Sequence, residues 1–300
     1  MSGSAEQTGN WWRGRALGPV GVWSMELRNA ARPGVADAVG ELADRGLTAL
    51  WIPGLDGNGV FEDTGALLSA APGMHVVLGV LGIWRQKAAA VSARVRELDA
   101  RYGERTVVGF GVSDRNAAAA AGQTFDNPVG AVSNYLDEVD LNHQRLLLGA
   151  LGPRMATLAA ERTAGIHPFL VSPDYTATMR ARLGTEAIIA PHQAVVFSAD
   201  ADQARTIARD QVGMFIGFDA YRNNLRRLGW TGEDLVPGGS DRLIDALVAW
   251  GDDDAVRRRL QEQLDAGADQ VAVHVLSTTP GGALPQQEWR RLADLATELN

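Results

Sequence analysis

The chain has no cysteine. Disulfides, thiolate metal ligands and a cysteine nucleophile are excluded outright. Lysine is almost as scarce. Lys87 is the only one, so nearly all positive charge is arginine, a bias expected of a GC-rich genome. No basic stripe relieves the net charge of −8, which argues against a nucleic-acid partner. No apolar run approaches the roughly 18 residues of a membrane span. The first fifteen residues, polar apart from Trp11 and Trp12, lack the apolar stretch of a secretory signal. A cytoplasmic location without membrane association is the expectation.

Chemistry-bearing motifs are equally sparse. His75, His143, His167, His192 and His274 are scattered, without the close His-x-x-x-His or Glu-x-x-His spacing of a metal site. No Gly-x-Ser-x-Gly elbow occurs, and no carboxylate pair stands out as a hydrolytic centre. Gly109-x-Gly111 lacks the third glycine and the opening helix of a dinucleotide fingerprint.

What is present is a rhythm. Short Val/Ile/Leu-rich runs at residues 20–23, 48–52, 74–83, 106–112, 145–151, 166–171, 187–197 and 270–276 read as strands buried on both faces. Between them lie stretches of helical period at 35–45, 86–102, 130–140, 154–163, 175–183, 241–250 and 255–266, many followed by glycine. Eight βα units in 300 residues, 46% of them apolar, predict an α/β fold of the (β/α)8 TIM-barrel class rather than an open sheet. About 70 residues separate the seventh and eighth strands, predicting a helical insertion there. No linker is visible. Residues 1–17 read as an N-terminal extension and 18–300 as one barrel domain.

In such a barrel, chemistry gathers at the C-terminal ends of the strands. Glycine is heavily used there, at Gly79, Gly82, Gly109, Gly111, Gly149 and Gly152. Missing side chains at strand ends let a flat ligand or a phosphate approach the backbone. Gly152-Pro153 just before a helix opened by Arg154 suits an anion, because free amides and the helix dipole point outward there. Of the histidines, His167 and His192 fall at this rim.

At these rim segments the chain resembles the luciferase-like monooxygenase superfamily, and within it the actinobacterial deazaflavin-dependent oxidoreductases. The similarity runs from about Gly18 to Leu276 and is densest over residues 151–176 (LGPRMATLAAERTAGIHPFLVSPDYT), 239–251 (GSDRLIDALVAWG) and 266–271 (AGADQV). The resemblance implies an isoalloxazine-like ring at the barrel mouth and hydride transfer to or from a small organic substrate. It implies coenzyme F420 as cofactor, with FMN as the alternative, and a homodimer. It also implies a non-proline cis peptide at Gly79-Val80 behind the ring. Gly111, Val112 and Ser113 would line the ring or its side chain, and Gly152, Pro153 and Arg154 would meet the tail. His167 is the expected catalytic group, a neutral imidazole donating a hydrogen bond to a ring carbonyl or to substrate. The chain departs from its relatives at Gly54, Gly82 and Asp114, where they commonly carry an acidic residue, Asn and His. A barrel that binds a small ligand without redox chemistry is the third reading.

Overall fold

The computed structural model describes residues 11–15, 17–113, 115–277 and 283–299. Ten strands form one sheet: β1 (Val20–Trp23), β2 (Ala49–Ile52), β3 (His75–Gly82), β4 (Thr106–Gly111), β5 (Leu146–Leu148), β6 (Gly165–Ile166), β7 (Ile188–Ile189), β8 (His192–Val196), β9 (Val248–Trp250) and β10 (Val271–Val275). Helices fill the intervals: α1 (Trp11–Gly14), α2 (Val35–Asp44), α3 (Val60–Ala70), α4 (Ala88–Tyr102), α5 (Arg115–Ala120), α6 (Pro128–Asp137), α7 (Pro153–Arg162), α8 (Pro173–Leu183), α9 (Ala201–Val212), α10 (Asp219–Arg227), α11 (Asp241–Leu247), α12 (Asp253–Asp265) and α13 (Gln286–Ala296). Asn127, Asp200, Ser240 and Asp252 cap the starts of α6, α9, α11 and α12 with side-chain oxygens, which is why those helices begin where they do.

Every strand pairing is parallel, in the order β7-β6-β5-β4-β3-β2-β1-β10-β8-β9. The seventh strand, expected over residues 187–197, is divided into β7 and β8 by a bend at Ala190-Pro191. Pro191 has no N–H to give a ladder. Its carbonyl instead accepts from Ala272 (2.9 Å), while Ala190 donates to Ile166 (3.0 Å) and His192 to Pro168 (2.9 Å). One half of the strand thus pairs with β6 and the other with β10. The bend closes the sheet into an eight-stave barrel, the α/β TIM-barrel architecture.

Other expectations are corrected. The helix expected over 241–250 stops at Leu247, and Val248–Trp250 adds to the far side of β8. Beyond the bend β8 stays paired with β10 but no longer lies against β6, and β9 covers the edge this exposes. The expected strands at 145–151 and 166–171 shorten to β5 and β6. Four helices lie where no element is expected: α1, α3, α5 and α13. The α13 helix buries Trp289 and Leu292 and packs between α12 and α2, completing the outer ring.

Inside the barrel, alternate strand residues point at the axis. Trp51 is fully buried among them. Gly21 makes room, because a Cβ there would lie 2.7 Å from the Trp51 indole nitrogen. That indole N–H donates to Gln270 Oε1 at 3.0 Å, satisfying a polar atom that would otherwise be stranded. Trp12 and Leu17 join the same buried cluster and close the N-terminal end.

Arginines fasten the outer shell. Arg145, 4% exposed, donates to both Asp99 oxygens at 2.7 Å and to the Thr106 carbonyl. Removing it leaves a carboxylate and a carbonyl unpaired. Arg145→Ala should cost about 3 kcal/mol, at the low end for a buried pair because Asp99 reaches solvent. Urea unfolding measures it, and a loss below about 1 kcal/mol would contradict this account.

Candidate functional site

The C-terminal mouth is built around Val80. The β3–β4 register shifts between Leu78 and Leu81, and the Gly79–Val80 peptide is cis, at the expected position. The shift turns the Val80 side chain inward over Gly109, Gly111 and Gly149. A Cβ at Gly109 or Gly111 would lie 2.7 Å from its methyls, and one at Gly149 would lie 3.4 Å away. These glycines form a bed that side chains would fill. Val80 itself stays half-exposed, a small apolar platform facing the mouth. Ser113 is exposed, and the Val112 carbonyl accepts from the Trp84 indole at 2.6 Å, tying the loops after β3 and β4 together.

Two departures from the relatives acquire physical content. A Cβ on Gly54 would lie 2.3 Å from the Val80 carbonyl, so this wall has no room for a side chain. A Cβ on Gly82 would meet nothing within 4 Å, leaving open space beside the platform. Asp114 lies outside the described residues.

Backbone strain gathers at the same end. Among the described residues, the non-glycine positions with positive φ are Leu55 (49°), Ser113 (52°) and Leu170 (53°). They follow β2, β4 and β6 at the mouth. Each costs roughly 1–2 kcal/mol and persists only where its surroundings impose it.

His167 lies deeper than expected. It is 2% exposed, stacks on Trp51 at 4.4 Å, and underlies Gly79, whose missing Cβ would come 3.0 Å from the ring. Its Nδ1 is 2.7 Å from the Ala190 carbonyl. A carbonyl only accepts, so Nδ1 carries the proton. Nε2 is then an acceptor, buried and without a hydrogen-bond partner among the described residues. Burial pulls the pKa down to about 4, so the ring is neutral near pH 7. The expected donor to a ligand is thus an acceptor beneath the platform.

The sequence reading gave no role to two further side chains of the throat, His274 and Trp23. His192 Nε2 and His274 Nδ1 are 3.2 Å apart, one donating to the other. Burial lowers both pKa values, that of His274 to about 3, and the neighbouring imidazoles lower that of His192 further. Trp23 packs on both rings, at 5.1 and 4.4 Å, and Phe169 stacks on His192 at 3.7 Å. The inward period of β10, Ala272 then His274, is the signal that could have found this pair.

On the β5 side the anion-suited segment takes the expected form. Gly152 precedes α7, Pro153 opens it, and Arg154 is exposed. Sequence spacing could not show that Arg227 of α10 joins it, donating to the Leu151 carbonyl at 3.2 Å. Helices α9 to α11 between β8 and β9 form a lobe, and at its other end Gln211 donates to the Ser277 carbonyl at 2.6 Å. The lobe therefore spans the rim from β10 to β5. Two grooves of about 430 and 440 Å³, along α9 and beside α12, contain none of the expected site residues.

No protein-family model and no curated protein matches the chain. Solved structures do. The coenzyme F420-dependent tetrahydromethanopterin reductase from Methanopyrus kandleri superposes with a TM-score of 0.67 at 16% identity, over 94% of this chain and 99% of its own. An F420-dependent secondary alcohol dehydrogenase in complex with an F420–acetone adduct gives 0.67 at 14% identity, over 93% and 98%. The oxygenating constituent of 3,6-diketocamphane monooxygenase from Pseudomonas putida, in complex with FMN, gives 0.62 at 11%, over 93% and 96%. The likeness is one of fold, the barrel common to F420-dependent and luciferase-like flavin oxidoreductases.

The histidine state is directly measurable. With five histidines in the chain, imidazole ¹⁵N resonances should show His167 as the Nδ1–H tautomer at pH 7 and still neutral at pH 6. Its folded pKa lies below the unfolded one, so its contribution to stability is complete above about pH 6.5 and is lost as pH falls towards about 4. A midpoint at or above pH 6, or an Nε2–H tautomer, would contradict the assignment.

Proposed function

We propose that the barrel, residues 18–300, is an oxidoreductase that uses a deazaflavin of the F420 type, with FMN as the alternative, on a small organic substrate. The observation that carries this reading is the bed of Gly109, Gly111 and Gly149 beneath the half-exposed Val80. It is a flat apolar cradle at the end of the barrel where chemistry gathers. The residues fit such a group. Gly79 and Val80 would support one face of a ring, Gly111, Val112 and Ser113 its edge, and Gly82 leaves space beside it. Gly152, Pro153 and Arg154 would receive an anionic tail, where the start of α7 and the nearby Arg227 favour negative charge.

When bound, the cofactor supplies hydride transfer. The protein's part is position and exclusion of water. Trp51 and His167 stiffen the platform from below. Trp23, Phe169, His192 and His274 pack together in the throat and would help to keep water from the site. His167, expected to be catalytic, is proposed instead as a positioning residue, a neutral group that holds the platform and keeps positive charge out of the site. The likeness in fold to both F420- and FMN-containing proteins supports this reading and leaves FMN as its alternative.

Titration of the purified protein with the deazaflavin and with FMN, followed by ligand fluorescence, tests it. Binding of one at micromolar concentration is expected. Arg154→Ala should weaken that binding by about 10- to 100-fold, the worth of one hydrogen bond to a charged group at roughly 1.5–3 kcal/mol. A protein that binds neither ligand would overturn the proposal.

A further inference from the structure

The strand order sets one throat side chain directly across the mouth from the proposed ring edge at Gly111. From β4 to β10, which carries His274, the barrel runs β4-β3-β2-β1-β10, a passage of four staves in eight. We propose that His274 donates a hydrogen bond from Nε2 to a carbonyl oxygen of the cofactor ring, with His192 as the positioning residue that fixes this proton. The claim rests on the cofactor reading. It holds equally for a deazaflavin and for FMN, because both rings carry carbonyl oxygens at one edge.

The geometry begins at Trp23. Its indole N–H donates to the Gly79 carbonyl at 3.4 Å, and its ring packs on His274 at 4.4 Å. His274 is thereby held one ring away from the Gly79–Val80 platform. Its Nδ1 is 3.2 Å from His192 Nε2, and Phe169 stacks on His192 at 3.7 Å. With Nδ1 engaged, Nε2 is the nitrogen left for a ligand.

Exposure separates the two imidazoles. His192 has no exposed surface, and its Nδ1 is sealed without a hydrogen-bond partner among the described residues. His274 keeps 8% of its surface in solvent, and its Nε2 is not sealed. The proton positions follow from this difference. If His274 donated through Nδ1, the proton of His192 would sit on its own Nδ1, a buried N–H with nothing to receive it. If His192 donates through Nε2, only an acceptor goes unpaired, the milder omission. Burial keeps both rings neutral near pH 7, so one proton lies between them and the other is on His274 Nε2. The neighbouring N–H groups are spent, that of Trp23 on Gly79, that of His167 on Ala190 and that of Trp51 on Gln270. His274 is therefore the ring donor of the throat still free to meet a ligand oxygen.

Imidazole ¹⁵N spectra, together with titration by FMN and by the deazaflavin, test this. In the ligand-free protein at pH 7, His192 and His274 should both be Nε2–H tautomers. Bound cofactor should shift the His274 Nε2 resonance. His274→Phe keeps a ring against Trp23 and removes the donor, and it should weaken cofactor binding about tenfold. His274→Gln, whose amide can stand where Nε2 stands, should recover most of that loss. His192→Phe should leave His274 as a mixture of tautomers and weaken binding. The spectra decide the matter if the phenylalanine variants do not fold. An Nδ1–H tautomer at His274, a resonance unmoved by bound cofactor, or parent-like binding by His274→Phe would overturn this inference alone. A parent protein that binds neither cofactor would overturn the cofactor reading, and this inference with it.

Discussion

Four staves of the barrel meet at the imidazole of His167. It leaves the end of β6, stacks on Trp51 of β2, lies under Gly79 of β3, and gives its Nδ1 proton to Ala190 at the bend of strand seven. Burial keeps the ring uncharged, so it packs as an aromatic plate rather than as an ion that would have to recruit water or a carboxylate. The position of Val80 depends on this contact from below and on the glycine bed from the side. The bend that closes the barrel depends on it through Ala190. A charged or smaller group at this point would loosen the platform and the closure together.

Charge is kept to the outside. Arg28 illustrates how it is used. Its guanidinium pairs with Asp63 and donates to the carbonyls of Pro53, Gly54 and Asn58, pulling the loop after β2 against the Val80 carbonyl. Arg180 performs the same service at the other end of the barrel, holding Asp269 and the carbonyls of Gly267 and Ala187. A planar fork that can satisfy several carbonyls at once suits these places better than an ammonium group. The abundance of arginine thus has structural uses in this fold, whatever its origin in composition. The mouth, by contrast, is lined with glycine, aromatic rings and neutral imidazole.

The barrel was legible because its signals are local. Val/Ile/Leu runs, helical periods and glycines such as Gly103 and Gly184 at helix ends repeat along the chain. The glycines of the mouth were legible for a similar reason, since their position after a strand is itself the clue. What depends on tertiary structure stayed hidden. Residues 187–197 read as one strand because Pro191 breaks only the ladder, not the apolar run. Residues 248–250 read as helix because their partner, β8, lies far back in sequence. The depth of His167, the His192–His274 pair and the reach of Arg227 to Leu151 all depend on which staves adjoin, which no spacing in the sequence reveals.

The central claim is that a flat ring belongs on the glycine-bedded platform at the mouth. A crystal structure of the protein soaked with the deazaflavin, or with FMN, tests it most directly. The account predicts the ring in van der Waals contact with Val80, one edge along residues 111–113, and the tail at Gly152–Arg154. A ring bound in either groove beside α9 or α12, or at the N-terminal end of the barrel near Trp12, would contradict it.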